Sequence, residues 1–114
     1  MEDFVISISD GYYSKLESDN ARDIILVNNL RVQKYKQGNR LVVLNEQTQE
    51  SFEIIVKNML YFENITDAIA FVGKKYLGFS NATTPTKIED ELLVRYKAQD
   101  VDKYGVVVIE YDKI

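Results

Sequence analysis

The densest group of residues able to hold an anion is Arg31, Lys34, Lys36 and Arg40, four positive charges in ten residues with Tyr35 among them. Charge of this kind neutralises phosphate, and an aromatic ring offers a face on which a base stacks. A solvated edge strand explains the same residues, because lysines on an edge discourage unwanted pairing. Tyr12 and Tyr13 are a second aromatic source. Neighbouring helical residues do not share a face, so one is expected in the core and the other at a rim, where a ligand can stack on it. Asn81, Thr83 and Thr84 precede an expected helix start, a place that either holds an anion or caps the helix. Two acidic groups remain, Glu89-Asp90-Glu91 and Asp100 with Asp102. The first stands at a helix start, where negative charge is favoured. The second lacks the Gly and closing Glu of a calcium loop. Neither reads as a metal site.

The sequence contains neither cysteine nor histidine. Disulfides are therefore excluded, and with them a secreted disulfide scaffold. Zinc sites built on imidazole or thiolate are excluded as well. So is nucleophilic catalysis that relies on an imidazole base. No cofactor is implied. The net charge of −4 weighs against non-specific coating of nucleic acid, which recruits a cation for each phosphate. It leaves room for a local basic patch. The opening Met1-Glu2-Asp3-Phe4-Val5 has no basic n-region and apolar h-region, so no signal peptide is expected. Strictly apolar runs are four or five residues long, against about 20 for a membrane span. The expected location is the cytoplasm.

These residues need a frame. At 114 residues, 46% of them hydrophobic, the chain fits one domain with one core spanning 1–114. Phe4, Ile6 and Ile8 alternate with Val5, Ser7 and Ser9 as in a strand. Ser9 or Asp10 can cap a short helix over 11–18, which ends at Asp19-Asn20. Residues 24–27 form a strand buried on both faces. Residues 30–37 alternate weakly into the turn signal Gly38-Asn39. Strands 40–44 and 50–61 make a hairpin across a polar loop. Asn64 caps a helix whose buried positions are Ile65, Ala68, Ile69, Val72 and Tyr76. Thr86 with Glu89 forms a capping box for a second helix, with Ile88, Leu92 and Tyr96 as its buried stripe. Residues 104–111 make the last strand. The order predicts an α+β class: five to six mixed or antiparallel strands in a small closed or nearly closed barrel, with two to three short helices.

Three words in this order resemble the ASCH family of PUA-like β-barrels. Lys36-Gln37-Gly38-Asn39-Arg40-Leu41-Val42-Val43 is similar to the family's turn into a hydrophobic strand. Residues 62–78 resemble its strand running into a short helix. Leu92-Leu93-Val94-Arg95-Tyr96, followed by Lys103-Tyr104-Gly105-Val106-Val107-Val108-Ile109, resembles its ending. The resemblance implies a cleft beside the first helix that binds RNA or a nucleotide-like small molecule. Arg22 and Asp23 fall at that cleft, and an arginine fork there suits phosphate or carboxylate. A surface ion pair explains them too.

Some members of the family hydrolyse acetylated cytidine with a Lys, a Thr and a Glu. Here the corresponding stretch reads Ser18-Asp19-Asn20-Ala21-Arg22-Asp23-Ile24-Ile25, with Asp23 in the place of the lysine and Ile24 in that of the threonine. The loop 78–84 lacks the acid. No complete catalytic site is expected. The leading expectation is a binding module in which Arg22, Lys34, Lys36 and Arg40 supply charge and Tyr12 or Tyr35 stacks. One alternative is a nucleoside amidohydrolase, which needs Lys15, Arg22, Asp23 and a loop threonine to converge. The other is a protein-interaction module.

Overall fold

The computed structural model describes residues 4–19, 21–93 and 96–114. Expectations that rest on 1–3, Asn20, Val94 or Arg95 lie outside them. β1 (Val5–Ile8) leads into α1 (Asp10–Glu17), whose cap is Ser9, its hydroxyl accepting from the Tyr12 amide. β2 (Asp23–Val27), β3 (Arg40–Asn45) and β4 (Ser51–Phe62) follow, then α2 (Ile65–Val72), α3 (Pro85–Leu92), α4 (Ala98–Tyr104) and β5 (Val106–Lys113). The strands form one five-stranded sheet in the order β1-β3-β4-β5-β2, with β1 parallel to β3 and every other pair antiparallel.

The expected β3–β4 hairpin forms, with Leu41 opposite Ile54 and Val43 opposite Phe52. Its loop is organised by Asn45, buried to 1% exposure. The Asn45 side chain accepts from the amides of Gln47 and Thr48 and donates to Asp10 at the first turn of α1. One buried amide thus ties the hairpin to the helix, with its hydrogen-bonding groups satisfied. β4 is long enough to pair with β3 along its first half and with β5 along its length, and a bulge between Val56 and Asn58 bends it. Bulges bend a strand and increase its twist. The sheet curls into a half-barrel, with β1 and β2 as its two edges.

Hence the barrel does not close. Tyr12 stands at the open edge of β2, its hydroxyl accepting from the Ile25 amide at 2.9 Å. A side chain satisfies a backbone donor that a further strand would otherwise take. β2 and β5, expected as solidly apolar strands, are buried: Ile24, Ile25 and Val27, like Val106, Val108 and Ile109, have no measurable exposure. α1 packs on β3, α2 on β4 and β5, and α4 on β2.

Three readings of local structure are corrected. Residues 30–37 contain no strand: Val32–Lys34 is a 3₁₀ turn, its start held by the Asn29 side chain accepting from the Val32 amide. The edge-strand explanation of the lysines goes with it. Thr84, not Thr86, caps α3, its hydroxyl accepting from the Lys87 amide, and Pro85 sits in the first turn, where a missing N–H costs nothing. A fourth helix, α4, occupies the stretch before the last strand. It carries no buried side chain, so hydrophobic periodicity had nothing to show there.

Candidate functional site

The C-terminal end of α1, the start of β2 and the 3₁₀ turn Lys74–Tyr76 are knitted into one edge. The Ala21 amide donates to the Lys15 carbonyl, Ala21 and Leu77 form a bridge, and the Arg22 amide donates to the Tyr76 carbonyl at 2.8 Å. Around this edge lies a cleft of about 430 Å³, with Lys15, Arg22 and Lys75 as its cations and Tyr76 and Phe79 as its rings. The Arg22 guanidinium lies over the Tyr76 ring at 5.1 Å from its centroid, and the Lys15 ammonium over Phe79 at 3.4 Å. Such contacts hold a cation in place without neutralising it.

The charges differ in availability. Lys15 is paired with Glu91 of α3 at 3.0 Å, and Asp19 on the cleft wall is paired with Lys113 at 2.9 Å. Among the described residues neither Arg22 nor Lys75 has an ion-pair partner. Both are exposed, as is Tyr76. Gly78 makes the geometry possible. Its φ is +84°, and a Cβ there would meet Lys15 Cδ at 2.9 Å, so the lysine stem crosses where only a glycine leaves room.

Arg22 also lines a second cleft of about 440 Å³, with Asp23, Gln37, Asn58, Glu110 and Tyr111 on its walls. The Asp23 carboxyl is raised above its usual range, first by burial and then by Glu110, with Arg22 opposing the shift. Burial, with the carboxylates of Asp19 and Asp23 nearby, raises the Tyr111 phenol, which stays protonated at neutral pH.

The basic word 31–40 does not join these clefts. Lys34, Lys36 and Arg40 are exposed along the 3₁₀ turn and the Gly38 turn, and only the uncharged Gln37 of that segment lines the second cleft. Arg31 donates to the Val5 carbonyl of β1. With Tyr35 it lines a third cleft, of about 230 Å³, between β1 and β2. Of the charges grouped in the leading expectation, only Arg22 lines these two clefts; Lys34, Lys36 and Arg40 line neither.

The aromatic expectations change too. Tyr12 is 2% exposed with its hydroxyl engaged, so its ring has no face for a ligand, and burial raises its phenol. Tyr13 is buried as well, packed on Phe52 with ring centroids 5.4 Å apart. Both fit inside because the curled sheet wraps α1 on more than one side. Tyr35 is 5% exposed and stacks on Phe4 at 5.8 Å, part of the core rim and not a free platform. Thr83 exchanges a hydrogen bond with Ser80 and lines neither Arg22 cleft. The residues missed, Lys75, Tyr76 and Phe79, had a visible signal: Lys74-Lys75-Tyr76 is a basic-aromatic word followed two residues later by Gly78-Phe79.

Among the described residues no group of three or more His, Cys, Asp or Glu could hold a metal ion, and no helix is long and apolar enough to cross a membrane. No protein-family model and no curated protein matches the chain. Solved structures do share its fold. The crystal structure of hypothetical protein PH0355 superposes with a TM-score of 0.73 at 15% identity, covering 96% of this chain and 99% of that one. The solution structure of protein PF0455 from Pyrococcus furiosus gives 0.65 at 14% identity, covering 96% and 97%. At such identity the likeness establishes the fold, over nearly the full length of both partners, and nothing of the function.

Proposed function

We propose that this chain is a PUA-like binding module of the ASCH type, which recognises RNA or a nucleotide-like ligand in the cytoplasm without chemistry of its own. The observation that supports it is the cleft beside α1, where Arg22 and Lys75, neither with an ion-pair partner among the described residues, flank the exposed Tyr76 ring. Two exposed cations attract an anion, and a ring beside them accepts a planar group. A guanidinium held over a ring presents its fork in a fixed direction, which suits phosphate better than a mobile lysine would. Hydrolysis is the weaker reading. Lys15 is paired with Glu91, Thr83 is bonded to Ser80, and Asp23 opens into the neighbouring cleft.

The test is a titration with a panel of short RNAs and nucleotides at low and moderate salt. The expected result is salt-sensitive binding that Arg22→Ala weakens about tenfold, the loss of one charge-assisted contact. Absence of any salt-sensitive binding would remove the reading. Turnover of an acetylated cytidine would favour the hydrolytic one.

A further inference from the structure

The second cleft adjoins the first, because Arg22 is a wall of both. Its other walls differ in chemistry. Asp23 of β2 stands directly opposite Glu110 of β5 in the ladder. Directly opposed residues of an antiparallel pair project to the same face, and like charges so placed destabilise the sheet. Glu110 is fixed by the Asn58 amide, which donates to its Oε1 at 3.2 Å from beside the β4 bulge. Lys57, on the same wall, is turned to Asp112 at 3.9 Å. The Asp23 side chain, half-buried and beside Arg22, has no hydrogen-bond donor or ion pair among the described residues. A partly dehydrated carboxylate without a donor gains from any ligand group that supplies one.

We propose that the Asp23 side of Arg22 is a subsite for the vicinal hydroxyls of a ribose, whose phosphate lies on the Lys75 side of the same arginine. This rests on the nucleotide-binding reading and sharpens it: the site selects ribonucleotides over deoxyribonucleotides. Hydroxyls are the fitting class because two neighbouring carboxylates accept two O–H donors without a change of charge. A second phosphate in the same place would be repelled by both carboxylates. The polar amides of Gln37 and Asn58 and the protonated Tyr111 hydroxyl complete a wall suited to a sugar.

The experiment compares adenosine monophosphate with its 2′-deoxy counterpart by calorimetric titration, on the wild type, Asp23→Ala and Arg22→Ala. The expected result is a preference of about fivefold for the ribonucleotide, the worth of one hydrogen bond. In Asp23→Ala, which removes the acceptor, the ratio falls to near one, a change that a loss of general stability would not produce. Arg22→Ala weakens both nucleotides. Equal binding of the two by the wild type overturns the ribose subsite and leaves the nucleotide-binding reading standing. A preference that survives in Asp23→Ala also overturns it. Binding of neither nucleotide overturns the ribose subsite, and the RNA panel then decides the binding reading separately.

Discussion

The turn at residues 31–40 and the cleft at Arg22 are both basic, and they differ in how their charges are brought together. In the turn, four cations lie close in sequence, yet Lys34, Lys36 and Arg40 line neither Arg22 cleft, and Arg31 donates to the Val5 carbonyl. At the cleft, Lys15 and Arg22 come from either side of the end of α1 and Lys75 from a segment far along the chain, and the hydrogen bonds of Ala21 and Arg22 draw them onto one edge. Charge density along a chain measures attraction in general. A site needs convergence, which only the fold supplies.

The largest effect should separate the two regions outright. Replacing Arg22 and Lys75 together with alanine is expected to weaken ligand binding about a hundredfold, as two charge-assisted contacts are lost. Replacing Lys34 and Lys36 together should change it by less than about twofold, the level of screened surface charge. Parallel titrations check this, and equal losses in both variants would erase the distinction.

A second effect tests what frames the cleft. Tyr12→Phe removes the acceptor of the Ile25 amide while keeping the ring. A buried donor left unsatisfied costs about 1–3 kcal/mol. Chemical denaturation should show that loss with an unchanged slope.

Two glycines with nearly the same backbone then compare the regions directly. Gly38 and Gly78 have φ of +89° and +84°. An alanine at either incurs left-handed strain of about 1–2 kcal/mol. At Gly38 nothing lies within 4 Å of the added Cβ, whereas at Gly78 it meets the Lys15 stem. Gly78→Ala should therefore lower stability further than Gly38→Ala and also weaken binding. Melting curves and titrations of the pair check both halves.

The smallest effect comes from Asp23. Its carboxyl is raised in the folded state, chiefly by burial and also by Glu110, so the folded protein holds the proton more tightly than the unfolded chain. The stability this contributes is present below the unfolded value and is lost as pH rises through the folded one. At neutral pH the ionised carboxylate is a liability, and Asp23→Asn should stabilise by less than about 1 kcal/mol, since solvent screens a half-exposed group. The gain should vanish in acid below the ordinary aspartate range. A variant less stable than wild type at pH 7 would contradict the sign.

Much of the frame was legible because it rests on local rules. Ser9 and Asn64 announced helix starts, the alternation across 40–44 and 50–61 announced the hairpin, and the unbroken apolar strand at 24–27 announced burial on both faces. The closure of the barrel was not legible, because it turns on whether β1 and β2 meet, and Tyr12 occupies that edge through a hydroxyl no pattern reveals. Thr84 was legible only as one of three loop residues able to cap, because Thr86 with Glu89 offers a competing word two residues on. For the site, Arg22 and Asp23 were singled out through resemblance, not spacing. Lys75 and Tyr76 were readable as a basic-aromatic word, yet only the bridge between Ala21 and Leu77 brings them to Arg22.

The most direct test of the account is amide chemical-shift mapping of the protein titrated with a short single-stranded RNA. Perturbations are predicted to gather at Arg22, Lys75, Tyr76 and Gly78, extending to Asp23 and Glu110. Perturbations confined to residues 31–40, with the Arg22 edge silent, would contradict it.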